Sequence, residues 1–581
     1  MSRRRDRSPG SAGADREGAL EPAPAEAPAS GRLRWILLGA VVTLSALLVA
    51  GAFVPAPHSG GDNATYLSLA YSLLHDGSYT ELFDPARLPH TKYPPVFPGL
   101  LALFMLAGAR TWVAFKAVAV LSTLGAVALT YLWAERRLGA VWGAGVALLL
   151  AVSSAVVYYS HWILSDPTFL VLTLLAVWAL ERSDGEGAGP GWLVLGVAAT
   201  GLAYFTRSAG LPLVVALGAF LALRRRWRAL GATAVALGVP MLLWSLRARG
   251  AGQGEYGSEF WLVDPYDPGQ GRVGPGGLLG RFWENLVGYL GTHLPGGVVG
   301  VGTPLLGVFG VALVALAVVG WVRAVRRRPG PAELFLPLYA GLILLWPAVW
   351  SGDRFVLPLY PLLFLYAALA LRELLTPRGK GLASAAGAVA FLVVVLPAVK
   401  SWTTSVQDAS ACSAMVRRGG PFACYGPGIG SFVEAARWAG DNLPEGSAVL
   451  SRKPSMFYVL SGLPSRTFPF SDDPARHLAL ADEVGARYEL FDQWDGLASR
   501  WVAGAVGAQP AAFCAVHSFG EEGGTVLLGI RPQDSRGDAT AEEAENVRIL
   551  GCPPTFTARE GAEKAYSPSS SRIPLLDGLD P

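Results

Sequence analysis

Apolar and polar positions along this chain alternate on the scale of whole bilayer crossings. Apolar runs that approach or reach the roughly 20 residues a helix needs to span a hydrocarbon core fall at 35–54, 112–133, 140–159, 163–180, 192–205, 211–223, 230–246, 298–322, 334–350, 355–371 and 382–399. They predict an all-α polytopic membrane domain over 33–400, of about 11 to 13 transmembrane helices. The first outer loop covers 55–111, and within it the proline-broken apolar stretch 94–108 is expected to dip into the interface without crossing. After Lys400 the pattern shortens: helical periodicity at 432–442 and strand-like runs at 447–450 and 524–530 predict a small α/β domain over 401–581. Residues 1–32 have almost nothing to bury and read as a disordered cytoplasmic tail, and the end of the chain reads as disordered too.

Composition sharpens this picture. Hydrophobic residues make up 52% of the chain and charged ones only 16%, against roughly 25% charged in an ordinary soluble domain. The formal net charge of +3 gives no reason to expect a nucleic-acid partner; the partner expected from composition is the lipid bilayer. Placement of the basic residues says more than their sum. With Arg3, Arg4 and Arg5 inside, the clusters Arg136 and Arg137, Arg182, Arg224 to Arg228, Arg326 to Arg328, and Arg372 to Lys380 all fall on the same side, as the excess of Lys and Arg on cytoplasmic loops requires. The expected arrangement is a multi-pass protein of the cell inner (plasma) membrane, with its N-terminus cytoplasmic and its C-terminal domain outside. Cys412, Cys424, Cys514 and Cys552 all follow the last apolar run. An even number there permits disulfides in an exported domain, with Cys412–Cys424 and Cys514–Cys552 the local pairings, and equally permits unpaired thiols.

Charge inside a membrane is costly and marks function by default. Asp166, Arg207, and the Asp353-Arg354 pair lie in or beside apolar runs, and on this topology all of them fall at outer helix ends. So does Asp62, which follows His58-Ser-Gly-Gly and opens an interfacial stretch, where the positive helix end favours a carboxylate. Each has a structural alternative: Asp62 as a helix cap, Arg207 as an interface anchor, Asp353-Arg354 as an ion pair. Their convergence on one face argues for a single site. No His, Cys, Asp and Glu cluster has metal-ligand spacing, so no metal or other cofactor is predicted, although a carboxylate pair can hold a divalent ion loosely. The loop from Arg249 to Pro295 carries Glu255, Tyr256, Trp261, Asp264 and Tyr266; it reads either as sugar or acceptor contact or as spacer.

Four segments together carry a resemblance: the loop aspartate Asp62, the block Tyr93-Pro-Pro-Val-Phe-Pro98, the segment Leu202-Ala-Tyr-Phe-Thr-Arg207, and Asp353-Arg-Phe-Val-Leu-Pro358 continuing to Pro361. In order and spacing they resemble the GT-C glycosyltransferases, the group that includes protein O-mannosyltransferases and lipid A aminoarabinose transferases. A weaker echo lies in Ala436-Arg-Trp438 to Pro444 and in Ser451-Arg-Lys-Pro454 to Tyr458. The resemblance implies a polyprenyl-phosphate-linked sugar donor at the outer leaflet and inverting transfer to an acceptor glycan, lipid or protein. It implies Asp62 as the base that deprotonates the acceptor, Arg207, Arg354 and Lys92 as donor phosphate-binding residues, and His58, Tyr66, His90, Tyr93, His161 and Asp353 as substrate-lining residues. One departure stands out. The aminoarabinose transferases have a Glu-Lys pair before the double proline, where this chain has Lys92 and Tyr93, which leaves Asp166 as the substitute for a second catalytic acid. Two other classes make different predictions. A lipid or solute transporter would place ionisable residues in mid-span, and a non-catalytic scaffold displaying the exported domain would tolerate loss of Asp62.

Overall fold

The computed structural model describes residues 31–185, 187–249, 256–520, 524–536 and 551–557. Residues 1–30 of the expected tail 1–32, Glu255 and the chain end therefore lie outside the described residues, while Gly31 and Arg32 already belong to the first helix. Among the described residues six helices are long and apolar enough to cross a membrane: Gly31–Gly51, Trp112–Leu138, Trp227–Arg249, Leu306–Arg327, Asp353–Arg378 and Lys380–Gly419. Shorter apolar helices, Val96–Leu106, Ala140–Val152, Gly191–Thr206, Ser208–Leu223 and Pro331–Leu345, pack among them. The architecture is thus the predicted one, a polytopic helical bundle, and a helix stands on every apolar run.

Two of those runs are divided between two separate α-helices. The run 140–159 breaks at Ser153, whose extended backbone separates Ala140–Val152 from Ser154–Tyr159. The run 298–322 is interrupted between Val299 and Leu306, where Pro304 follows Gly300 and Gly302 and two residues, Gly300 and Leu305, have positive φ. The loop 249–295 is also more ordered than a spacer: it contains the helices Tyr256–Phe260 and Pro275–Gly288. Arg281 anchors the second by donating to the carbonyls of Phe260 and Leu262 at 2.7 and 2.5 Å.

The Lys380–Gly419 helix runs without a break through Lys400, the point where the composition changes. Beyond it five strands, β1 (Ala448–Leu450), β2 (Ser465–Arg466), β3 (Ala486–Phe491), β4 (Phe513–Phe519) and β5 (Thr525–Ile530), form one sheet in the order β2-β1-β3-β5-β4. The β1 strand is parallel to β2 and β3, whereas β5 is antiparallel to β3 and β4. Helix Pro427–Asn442 lies on this sheet in the place expected from its periodicity. The strands β2, β3 and β4 add to the two expected ones, with β3 at the centre of the sheet. Disulfides join Cys412 to Cys424 and Cys514 to Cys552, and no described cysteine is free.

This small domain is fastened to the first outer loop. Arg466 forms a two-pronged ion pair with Asp84, both bonds 2.7 Å, Ser465 N–H donates to the Phe83 carbonyl at 2.6 Å, and Trp494 Nε1 donates to the Ser59 carbonyl at 2.9 Å. One apolar core continues from the loop residues Tyr66, Leu67 and Phe83 into Phe432, Phe457 and Tyr488 of the sheet domain. Burial of that kind makes the two parts one body.

Candidate functional site

Four helix ends meet at one place. Asp62 opens the helix Asp62–Tyr71 after Gly61, whose φ of 89° is a left-handed conformation that glycine adopts without strain. Asp166 opens the helix Asp166–Arg182, with Pro167 following it in the first turn. A carboxylate at a helix N-terminus is favoured by the helix dipole and by the unpaired N–H groups. Arg207 caps the C-terminal end of Gly191–Thr206 with an extended backbone, where the dipole favours a cation. The sharp turn that follows needs Gly210, because an added Cβ would lie 2.8 Å from the Tyr204 Cα. Arg354 sits in the tight turn Asp353–Leu359 that leads into Tyr360–Leu375.

The four side chains form one line of ion pairs, Asp62–Arg354–Asp166–Arg207. Arg354 Nη1 is 3.0 Å from Asp62 Oδ2, and its Nε is 2.7 Å from Asp166 Oδ2. Arg207 Nη1 takes the other Asp166 oxygen, Oδ1, at 2.8 Å and also donates to Ser165 Oγ at 3.1 Å. Tyr93 donates its hydroxyl to Asp62 Oδ1 at 3.1 Å, and the Tyr66 hydroxyl shares a 3.0 Å bond with Ser165 Oγ. Exposure divides the two carboxylates. Asp166 is 4% exposed and has both oxygens committed to arginine, whereas Asp62 is 27% exposed. Asp166 thus bridges the two guanidinium groups, one through each oxygen.

Electrostatics at the reachable carboxylate follow from these contacts. Burial raises the Asp62 carboxyl, but the charge and hydrogen bond of Arg354, with His58 and Lys453, outweigh it and hold the group below its ordinary value. Asp62 is thus a carboxylate at neutral pH. Burial and the Arg354 charge lower His58 to about 4, against the opposing pull of Asp62, so the imidazole stays neutral beside the cations. Burial and the Asp62 charge push the Tyr66 phenol up to about 12, which keeps it a hydroxyl.

The remaining expected residues surround these ion pairs or lie off them. Lys92 is paired with Glu259 at 2.8 Å and lies 5.1 Å from the Tyr256 ring centre and 5.2 Å from that of Trp350. Its ion pair is with Glu259, not with Asp62 or Asp166. Asp353 points away from its neighbour's partners and accepts from the Tyr159 hydroxyl at 3.0 Å. His161 is 2% exposed and packs on Phe53 and Trp162, which is a core position. His58 is edge-on to Trp162 and accepts from the Gly60 N–H at 2.9 Å. His90 lies behind Tyr93, accepting its N–H at 2.9 Å.

Three contributors were not singled out from sequence. Ser165 joins Tyr66 to Arg207. Glu259 supplies the carboxylate beside Lys92 from a distant segment, which only the fold brings near. Lys453 of the sheet domain reaches the loop before Asp62, with Nζ 3.3 Å from the Gly60 carbonyl; the block Ser451 to Pro454 that contains it was the visible signal.

Residues 92–245 match the family model described as dolichyl-phosphate-mannose-protein mannosyltransferase. No curated protein matches the chain in sequence. Among solved structures, ArnT from Cupriavidus metallidurans in the apo state is similar at 16% identity and TM-score 0.53, covering 87% of this chain and 100% of that one. The same protein bound to undecaprenyl phosphate gives 16% identity and TM-score 0.50 with the same coverage. The archaeal oligosaccharyltransferase AglB from Archaeoglobus fulgidus, in complex with an inhibitory peptide and a dolichol-phosphate, gives 14% identity and TM-score 0.53 over 87% of this chain and 75% of that one. At these identities the likeness establishes the fold.

Proposed function

We propose that this membrane-embedded chain, whose fold is that of the GT-C glycosyltransferases, transfers a sugar from a polyprenyl-phosphate carrier to an acceptor on the extracytoplasmic face, with inversion. The observation that carries the reading is the donor count at the line of ion pairs. Arg354 spends Nε and Nη1 on Asp166 and Asp62, and Arg207 spends Nη1. Arg354 Nη2 and Arg207 Nε and Nη2 have no acceptor among the described residues. A guanidinium with unused donors in a water-poor site is suited to phosphate oxygens. The structures of similar fold with undecaprenyl phosphate and dolichol-phosphate bound support that choice of ligand.

In this reading the acceptor hydroxyl or amine gives its proton to Asp62 Oδ2 or Oδ1 as its heteroatom attacks the anomeric carbon. The bond from that carbon to the phosphate oxygen breaks on the opposite side, and the polyprenyl phosphate leaves with the electron pair. Charge grows on the phosphate as this happens, where Arg207 and Arg354 are already fixed by Asp166 and need no reorganisation. One step with attack opposite the leaving group inverts the configuration. The direct test is incubation of the purified protein with a panel of polyprenyl-phosphate sugars, following release of the free polyprenyl phosphate. Consumption of none of them, by protein that is folded and in lipid, removes the proposal.

A further inference from the structure

Behind the site stands a buried acid and histidine that no step above uses. Thr80 and Pro89 form an antiparallel bridge, with Glu81 N–H donating to the Leu88 carbonyl at 2.9 Å and His90 N–H to the Tyr79 carbonyl at 3.0 Å. Glu81 and His90 consequently face each other across this turn, with His90 Nδ1 2.7 Å from Glu81 Oε1. Because His90 Nε2 accepts the Tyr93 N–H, it carries no proton, and the ring proton sits on Nδ1, donated to Glu81. The Tyr79 hydroxyl donates to the Tyr93 carbonyl at 2.8 Å. Both main-chain polar groups of Tyr93 are thus held by side chains of one turn. Arg247 clamps that turn from the Trp227–Arg249 helix, reaching the carbonyls of His90 and Tyr79 at 2.5 and 2.7 Å. With its backbone fixed and its ring against Tyr66 at 4.9 Å, Tyr93 can point its hydroxyl only where it is needed, at Asp62 Oδ1.

We propose that Glu81, His90 and Tyr79 are positioning residues for Asp62, acting through Tyr93. The inference rests on the reading of Asp62 as the base, and it assigns Tyr93, at the place where the resembling enzymes carry lysine, the task of orienting that carboxylate. Glu81 sets the imidazole tautomer, the imidazole sets the Tyr93 backbone, and the phenol then holds one Asp62 oxygen so that the other faces Arg354 and the acceptor.

The test uses the full-length protein in lipid and follows the titration of Asp62 by pH-difference infrared spectroscopy, with Asp62→Asn identifying the band. Asp62 is faced by Arg354, His58, Lys453 and Tyr93, and His90 by Glu81, Tyr79 and Tyr93. The charges of Arg354 and Lys453 and the neutral His58 are untouched by the variants, so movement of the Asp62 midpoint reports the Tyr93 bond. Tyr93→Phe is expected to raise the midpoint by about one pH unit, since a hydrogen bond to the charged form is lost. Glu81→Ala, His90→Asn and Tyr79→Phe are expected to raise it likewise, while Glu81→Gln, which still accepts from Nδ1, restores the wild-type value. With a hexose or pentose linked to undecaprenyl phosphate as donor, Glu81→Ala lowers the single-turnover rate about 10- to 100-fold with little change in donor KM. A midpoint that moves in Tyr93→Phe and stays fixed in Glu81→Ala, His90→Asn and Tyr79→Phe overturns the positioning role, as does one that moves in none. If the infrared pattern holds and the wild type consumes neither donor, the transfer reading falls while the positioning role stands.

Discussion

The Asp166–Arg182 helix has a cluster of arginine and carboxylate side chains at each end, and the two assemblies are built for different work. At 17 residues and roughly 1.5 Å per residue, the helix separates them by about 25 Å. At its far end Arg137 engages Glu181 and Glu333 through all three guanidinium nitrogens. The carboxylates take further donors from Trp133, Tyr366 and the Gly330 N–H, so every oxygen is occupied and acids outnumber the cation. At the near end two arginines meet two aspartates, three guanidinium nitrogens are unspent, and Asp62 is 27% exposed where Glu333 is 2% exposed. A closed network with an excess of acceptors fixes helices to each other. An open one with an excess of donors has room for an anion, and it is the arithmetic of donors, more than burial or charge alone, that separates the two.

The comparison breaks most sharply at its acids. Asp62→Asn keeps an amide oxygen that can accept from Arg354 and turns an N–H towards the Tyr93 hydroxyl, but removes the proton acceptor, so transfer should fall by about 10²- to 10⁴-fold while expression and donor binding persist. Retention of the wild-type rate in a membrane assay takes Asp62 out of the mechanism. Glu333→Ala is the mirror experiment. It leaves a buried arginine short of one partner and should cost about 3 kcal/mol or more of stability, read as a lower melting temperature in detergent, with the rate per folded molecule unchanged. A rate loss without a stability loss there would mean that the far cluster is not merely structural.

A smaller effect sharpens the donor side. Arg354→Ala and Arg207→Ala each remove a charge-assisted contact to the leaving phosphate, worth about 1.5 to 3 kcal/mol, so binding of a polyprenyl phosphate should weaken about 10- to 150-fold. Arg354→Ala should be the more severe, because it also releases Asp62. Equal affinity in both variants and the wild type would return these arginines to the structural class that Arg137 represents.

How much of this was legible in sequence depends on the range of the interaction. The membrane bundle is readable because each span is a local run, and the expectation that Asp62, Asp166, Arg207 and Arg354 share one face of the bundle follows from arginine clusters elsewhere. The division of labour was not readable. Asp62 and Asp166 are both aspartates at helix starts, and only the contact of Asp166 with two arginines, 4% exposed, makes it a holder. Glu259 could not be found as the companion of Lys92 because they lie 167 positions apart. Lys92 itself shows why residue type is not enough: a lysine before the double proline suits a phosphate, and only the fold shows that it pairs with the Glu259 carboxylate and lies near the rings of Tyr256 and Trp350. His161 sits in a promising block, Tyr158 to Asp166, and packs as core.

A third buried ion pair, in the sheet domain, tests whether the contrast extends to groups that titrate. His477 is fully buried, with Nδ1 2.7 Å from Glu489 Oε1 and Nε2 2.7 Å from the Ser471 carbonyl. Both nitrogens face acceptors, so only the doubly protonated ring satisfies both. Burial opposes that charge, but the Glu489 hydrogen bond and charge and the Ser471 carbonyl win, and the imidazole is raised above its ordinary 6.5. A raised folded value means that the native state holds the proton more tightly than the unfolded chain. The stabilisation is therefore fully present below the ordinary value and is lost as pH climbs through the raised one. The melting-temperature gap between wild type and His477→Gln should accordingly be widest near about pH 6 and shrink towards about pH 9. Over the same range the gap for Glu333→Ala should stay level, because arginine does not lose its proton there. A His477 gap that is as flat as the Glu333 gap would mean that the ring is neutral, and that one of its two short contacts is no hydrogen bond.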